Sequence, residues 1–340
     1  MVILTNCLTE RADEGTRKVV RSLITRIKDR CPDTKIATYE SGEGLGDRHF
    51  RLNKLLVSRS LSRYLHREPV LYMPSPAKSL PLALRLWILS CSAKKGLSVL
   101  ISMQFPVDRV SRFFMNRSKA RILTLSQSAC AYYRGCLSCS VEQLPAGVDT
   151  EKFQPATAEE KLQLRRKYRL DEKKPVVLHV GHLKPGRNVA QLLKLDSRFH
   201  AVLAVSTQTA QEQDRKLRQQ LLQRQELTLI DSYLPHIEEL YRLADVYLFP
   251  VEDPESCICL PLSVLEAAAC GIPVVTTPFG QLQELVDRDG FYELKSFEPA
   301  ALNAQLEQAM AEKKDPRPAV LEYDWSLAVD TLLKATKEGR

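Results

Sequence analysis

Residues 260–286 read LPLSVLEAAACGIPVVTTPFGQLQELV. Leu262, Leu265, Ala268 and Ala269 recur at helical spacing, which places one face of a helix in a core. Gly271-Ile272-Pro273 stops that helix, and the apolar, β-branched run that follows starts a strand. A helix that turns tightly into a strand apolar on both faces is half of a parallel α/β unit. Glu266 stands out because it is acidic among alanines and leucines. A carboxylate lying near a sheet is not buried without partners. At the end of a strand it can accept two hydroxyl hydrogen bonds, which suits a ribose or a sugar diol.

The same alternation extends outward in both directions. Strand-like runs in the second half are PVVLHVG (175–181), HAVLAVS (200–206), LTLID (227–231), VYLFP (246–250) and PVVTT (273–277). The first half offers VILT (2–5), KIATY (35–39), PVLYM (69–73), LSVLIS (97–102), RILTLS (121–126) and VEQLP (141–145), with helical spacing between most of them. The expected fold is α/β, with two doubly wound Rossmann-like domains facing across a cleft. A chain of 340 residues has room for two such cores. The stretch LPAGVDTEKFQPATAEEK has the Pro and Gly content of a linker. It separates an expected first domain, 1–150, from a second, 151–316, and 317–340 is a C-terminal helix that can pack back on the first.

Composition is that of a globular protein, which argues against disorder, collagen and coiled coil. The N-terminus lacks a signal-peptide pattern, so a cytoplasmic chain is expected. The apolar run 80–93 is too short for the ~20 residues of a membrane span and is broken by Arg85. Nine cysteines without a regular framework read as reduced thiols. Charge is uneven: residues 1–150 hold 24 Lys and Arg against 12 Asp and Glu, whereas 151–340 are net −4. That asymmetry points to an anionic partner for the first half, or to a solvated basic face.

Ligands of doubly wound sheets bind at the carboxyl ends of the strands. The loop after the first strand leads into Gly15-Thr16 and a helix, whose free N–H groups suit a phosphate or sugar; a plain helix cap is an equal reading. In LHVGHLKPGRNVAQLL, Gly181 and Gly186 accompany His182, Lys184 and Arg187. Glycines there let the backbone approach a ligand while cations hydrogen-bond phosphate oxygens, unless the segment is only a surface turn. His179 alternates with the core of its strand and reads as an interior histidine.

LPAGVDTEKFQP, VGHLKPGRNV, LYRLADVYLFP and LSVLEAAACGIPVVTTPFGQLQELV occur in an order and spacing that resembles glycosyltransferases of the GT-B fold, family 4 type. The resemblance covers about residues 144–286, and its last block is the most specific. It implies a retaining hexosyltransferase-type enzyme that uses a nucleotide-diphosphate sugar, held mostly by the second domain, with the acceptor on the first. On that basis Glu266 holds the donor ribose. Arg187, with Lys184, holds the diphosphate, and His182 stands where the family has arginine. Gly15, Gly181, Gly280 and Glu284 match further donor-binding positions, with Phe279 in place of a glycine. No metal and no cofactor are implied, because cations and helix N-termini stabilise the departing diphosphate; Asp287 and Asp289 read as a loop.

The chain departs from the family pattern at Ile258, where an acidic residue is usual, so Glu255, Glu252 or Asp253 would have to take that role near the transferred sugar. A histidine of the first domain is also replaced by Pro74 and Ser75. These departures keep a second reading open, a non-catalytic relative that binds nucleotide or a partner. Residues 47–67 read as a cationic amphipathic helix, and 109–121 similarly mix cations with apolar residues. They suit peripheral attachment to an anionic membrane and a lipid-linked or other carbohydrate acceptor, or else helices packed on the sheet. A nucleic-acid partner is not expected, since no recognition motif accompanies the basic half.

Overall fold

Continuous apolar runs bury the central strands, and both sheets are parallel throughout. The computed structural model describes residues 1–8, 15–39, 46–52, 55–75, 78–102, 105–144, 146–205, 215–253, 256–258 and 260–338. One unit comprises Met1–Ala146 with Trp325–Arg340, and the other Gly147–Asp324.

The first unit has seven strands, β1 (Val2–Thr5), β2 (Lys35–Tyr39), β3 (Arg48–Phe50), β4 (Val70–Met73), β5 (Leu97–Ile101), β6 (Arg121–Thr124) and β7 (Val141–Gln143). Their order is β3-β2-β1-β4-β5-β6-β7. Helix α1 (Gly15–Arg30) buries Val19, Val20, Leu23, Ile24 and Ile27, the spacing of one helical face. Helices α2 (Arg59–Leu65), α3 (Ser79–Ser92), α4 (Arg109–Ser118) and α5 (Gln127–Cys136) follow. The final helix, α12 (Trp325–Glu338), packs on α1 and forms the ion pair Asp330–Arg30.

Two sequence expectations change here. Residues 47–67 do not form one cationic amphipathic helix. They contain β3, which pairs with β2, and only seven residues of helix, with Leu56, Leu61 and Leu65 turned into the core. β3 itself was not anticipated, because Arg48-His49-Phe50 has one apolar residue and gives no alternation to read.

The second unit opens with α6 (Ala158–Lys167), started by a capping box of Thr157 and Glu160. Its strands are β8 (Val176–Gly181), β9 (His200–Val205), β10 (Leu227–Ile230), β11 (Val246–Phe249), β12 (Val274–Thr276) and β13 (Phe291–Glu293), in the order β10-β9-β8-β11-β12-β13. Helices α7 (Arg215–Leu222), α8 (Glu238–Leu243), α9 (Leu262–Ala269), α10 (Leu282–Leu285) and α11 (Pro299–Glu312) complete it. Both sheets reverse their winding next to their own first strand, at β1/β4 and at β8/β11, and the crevice at such a switch point is where ligands of open α/β sheets bind. No helix among the described residues is long and apolar enough to cross a membrane.

Candidate functional site

At the β8/β11 switch point the two strands run side by side, Val246 beside Val177 and Tyr247 beside Leu178. The chain leaves β8 at Gly181 and β11 at Phe249, and the two exit loops touch. A Cβ added to Gly186 would lie 2.9 Å from both Asp253 Oδ2 and Ser256 Cβ, so only glycine permits this approach. Ser256 Oγ donates to the Gly186 carbonyl at 3.1 Å. The cationic loop expected at 182–188 is therefore seated at the switch point, with the acidic loop after β11 against it.

Arg187 ends a short 3-10 turn, Pro185–Arg187, and Asn188 follows in the left-handed region at φ 51°. The guanidinium lies 5.8 Å from the centre of the Phe249 ring, a cation–π contact at the end of β11. Arg187 Nε and Asn188 Nδ2 are buried donors without partners among the described residues. Asn188 Oδ1 accepts from Gln191 Nε2 at 2.9 Å, leaving the amide nitrogen of Asn188 unoccupied. Two unspent donors on one turn form a place for an anionic oxygen. His182 and Lys184 flank the turn, both half-buried.

His179 is an interior residue, as its alternation implied, but only one of its nitrogens is satisfied. Nδ1 lies 2.8 Å from the Leu248 carbonyl, which can only accept, so Nδ1 carries the proton. Nε2 is buried without a partner among the described residues and points at Gly181, where an added Cβ would lie 3.1 Å away. The ring stacks on Tyr247 and Phe249, and Phe249 stacks in turn on Phe279. Burial, with some help from the Arg187 charge, pulls the imidazole down to about 4 and keeps it neutral.

Glu266 sits midway along α9 and is buried. Its Oε2 accepts a 2.6 Å hydrogen bond from the hydroxyl of Tyr241, a fully buried residue of α8. Burial and the adjacent carboxylate raise the Tyr241 hydroxyl well above its ordinary value, so it remains a donor. Tyr241 packs edge-on against Phe153 at 5.6 Å and, tilted, against Tyr247 at 5.9 Å. The Tyr247 hydroxyl donates to the Val180 carbonyl at 3.1 Å, tying this aromatic group to the end of β8. Sequence reasoning missed Tyr241, although it lies inside the quoted block LYRLADVYLFP; its signal is a tyrosine on the apolar face of α8.

Other expected residues are placed less centrally. Gly280 has a positive φ of 53° just after β12, beside a buried Gln281 whose Oε1 lacks a partner among the described residues. Glu284 is exposed in α10 and acts on the Tyr323 hydroxyl, which burial chiefly raises. Gly15 starts α1 in the first unit, where Asn6 and Ser75 join the β1 and β4 exits: Asn6 Nδ2 donates to Ser75 Oγ at 3.0 Å and Ser75 N donates to Asn6 Oδ1 at 2.9 Å. Glu255 lies outside the described residues, as does Cys259. Ile258 is half-buried and Glu252 exposed. Among the described residues no group of three or more His, Cys, Asp or Glu is placed to hold a metal ion.

Residues 160–320 match the model of the family described as Glycosyl transferases group 1. The matched stretch lies within the second unit, Gly147–Asp324. Among curated proteins, this chain is 29% identical over 215 residues to a D-inositol 3-phosphate glycosyltransferase of Geodermatophilus obscurus, covering 56% of the chain and 46% of the relative. It is also 29% identical over 157 residues to a GDP-mannose-dependent monoacylated alpha-(1-6)-phosphatidylinositol monomannoside mannosyltransferase of Corynebacterium glutamicum, covering 43% and 40%. The chain thus spans less than half the length of these curated relatives. Among solved structures, Anabaena Alr3699/HepE in complex with UDP has a TM-score of 0.78 at 13% identity, over 99% of both chains. Its complex with UDP-glucose gives 0.76 at 14%. At those identities the likeness concerns the fold, which is GT-B. The second unit carries its cationic loop and Glu266 on the elements that follow β8 and β11.

Proposed function

We propose that the protein is a glycosyltransferase that moves a hexose from a nucleotide-diphosphate sugar to a carbohydrate or lipid-linked acceptor with retention at the anomeric carbon. The observation that carries this reading is the turn at 185–188, where Arg187 Nε and Asn188 Nδ2 are unspent buried donors at the switch point of the unit that matches the group 1 model. In this reading Arg187 and Lys184 receive the diphosphate and offset its growing charge as the sugar leaves, without a metal. Gly181 keeps the strand end open for the approach of the nucleotide. Glu266, oriented by Tyr241, accepts from the ribose hydroxyls. Asp253, held against Gly186, takes the place that Ile258 vacates.

Thermal unfolding with UDP, GDP, UDP-glucose and GDP-mannose tests the donor assignment. One of these should raise the melting temperature, and Arg187→Ala should weaken that nucleotide about 10- to 100-fold, the worth of one or two hydrogen bonds to a charged group. If none shifts the melting curve, the donor site is misassigned. The half-buried Ile258 supports a second reading, a relative that binds nucleotide without turnover. Nucleotide binding with no sugar transfer and no hydrolysis, followed by mass spectrometry, would select it.

A further inference from the structure

In the first unit, α3 and α4 pack side by side and run the same way. Ser79 Oγ donates to Asp108 Oδ2 at 3.1 Å near their starts, and Trp87 meets Phe114 at 5.3 Å further along. Their inward faces bury Leu82, Leu86, Leu89 and Met115 in the core. A second apolar face remains outside. Phe113 is 61% exposed, Val110 54% and Trp87 40%. These are not scattered singletons, because Trp87, Phe114 and Phe113 form a run of rings at 5.3 Å spacings.

The cations around this face complete the pattern. Arg109 and Arg117 flank Phe113 one helical turn before and after it, with Arg112 adjacent, and all three are exposed. Between residues 51 and 141 the sequence holds fifteen Lys and Arg and two acids, Glu68 and Asp108. Asp108 is spent as a helix cap: its carboxylate accepts from the Val110 and Ser111 amides and from the Ser79 and Ser111 hydroxyls. Glu68 is paired with the N-terminal ammonium and Lys35. Exposed aromatic rings beside arginines that form no ion pair among the described residues match the interface of an anionic bilayer, where rings enter the headgroup layer and arginines stay with the phosphates.

We infer that the α3–α4 face, centred on Trp87, Val110 and Phe113, docks on an anionic lipid bilayer. The inference does not depend on the donor assignment, since it concerns the other unit and is read without nucleotide. The protein has two tryptophans, and Trp325 is 3% exposed, so Trp87 reports contact directly. With phosphatidylcholine vesicles containing about 30% phosphatidylserine the tryptophan emission should shift to the blue and the protein should sediment with the vesicles; pure phosphatidylcholine should do neither. Replacing Arg109, Arg112 and Arg117 by Gln should weaken partition about 100-fold, at roughly tenfold or less per cation. Val110→Ser with Phe113→Ser should remove the blue shift. Both sets lie on the surface, and unchanged melting temperatures confirm that each variant is folded. Raising the salt on the wild-type protein should release it, which tests the same point without any variant. Equal recovery with neutral and anionic vesicles, or an unshifted Trp87 emission on anionic ones, would overturn the inference; so would a face that captures a protein but no lipid.

Discussion

The hydroxyl of Tyr241 is bonded to the Glu266 carboxylate at 2.6 Å, both groups buried, across the packing of α8 on α9. A buried carboxylate keeps its orientation only while its donors remain. Tyr241→Phe preserves the ring and removes the donor, so it should cost about 1–3 kcal/mol of stability. In the proposed function it should also weaken nucleotide binding, because Glu266 loses its orientation towards the ribose. Glu266→Gln should lower nucleotide affinity more than it lowers stability. Chemical denaturation read beside a nucleotide titration separates the two effects. Unchanged nucleotide affinity in Tyr241→Phe would leave the pair a structural contact alone.

Gly186 shows how closely the two exit loops fit. Its added Cβ would meet Asp253 Oδ2 and Ser256 Cβ at 2.9 Å, closer than real contacts allow. Gly186→Ala must therefore push the loop after β11 away from the cationic turn. We expect a loss of at least about tenfold in nucleotide affinity with about 1–3 kcal/mol of overpacking cost. Ser256→Ala, which removes a hydroxyl shared between the Gly186 carbonyl at 3.1 Å and the Asp253 carbonyl at 2.7 Å, should cost less, about 1 kcal/mol. Equal effects of the two variants on nucleotide affinity would show that the close approach is not what shapes the turn.

Much of this architecture was legible in residues 260–286 and in the apolar runs, because parallel strands buried on both faces have no polar alternation to confuse with a helix. β13 escaped because Phe291-Tyr292-Glu293 is three residues long and gains its strand character from pairing with β12. The cationic loop was readable because its glycines and cations are contiguous. Tyr241 was not, because its importance arises from a contact with Glu266 twenty-five residues away. Residues 47–67 misled for a related reason. Leucines among arginines give an amphipathic pattern, but the pairing of β3 with β2 decides the conformation.

His179 predicts an acid-side loss of stability. Its folded value, near 4, lies below the ~6.5 of an unfolded histidine, so below about pH 6.5 the unfolded chain takes up a proton that the folded one refuses. The stability is full above the unfolded value and falls as the pH drops towards 4. Between pH 7 and pH 5 this one group should cost about 2 kcal/mol. His179→Gln removes the titration, so its unfolding free energy should vary less over that interval, by about the same amount, whatever its absolute stability. Parallel curves for the two proteins would show that His179 is solvated when it titrates.

Tyrosines set the opposite limit. Burial raises the hydroxyls of Tyr133, Tyr241 and Tyr247 above the ordinary tyrosine value. In the unfolded chain each loses its proton near pH 10, while the folded chain retains it, so stability is full below that pH and falls as the pH rises through it. Cys270, pushed up to about 12 mainly by burial, adds a slope of the same sign that begins near pH 9. Each group contributes about 1.4 kcal/mol per pH unit within its window. Tyr133 is the one to test because it lies in the first unit, while the proposed donor residues Arg187 and Glu266 belong to the second, and its hydroxyl accepts a 3.1 Å bond from the Phe105 amide. Tyr133→Phe should reduce the slope of unfolding free energy between pH 10 and 12 by about 1.4 kcal/mol per pH unit while leaving nucleotide binding unchanged. A slope identical to that of the wild-type protein would mean that Tyr133 ionises in the folded chain at its ordinary value.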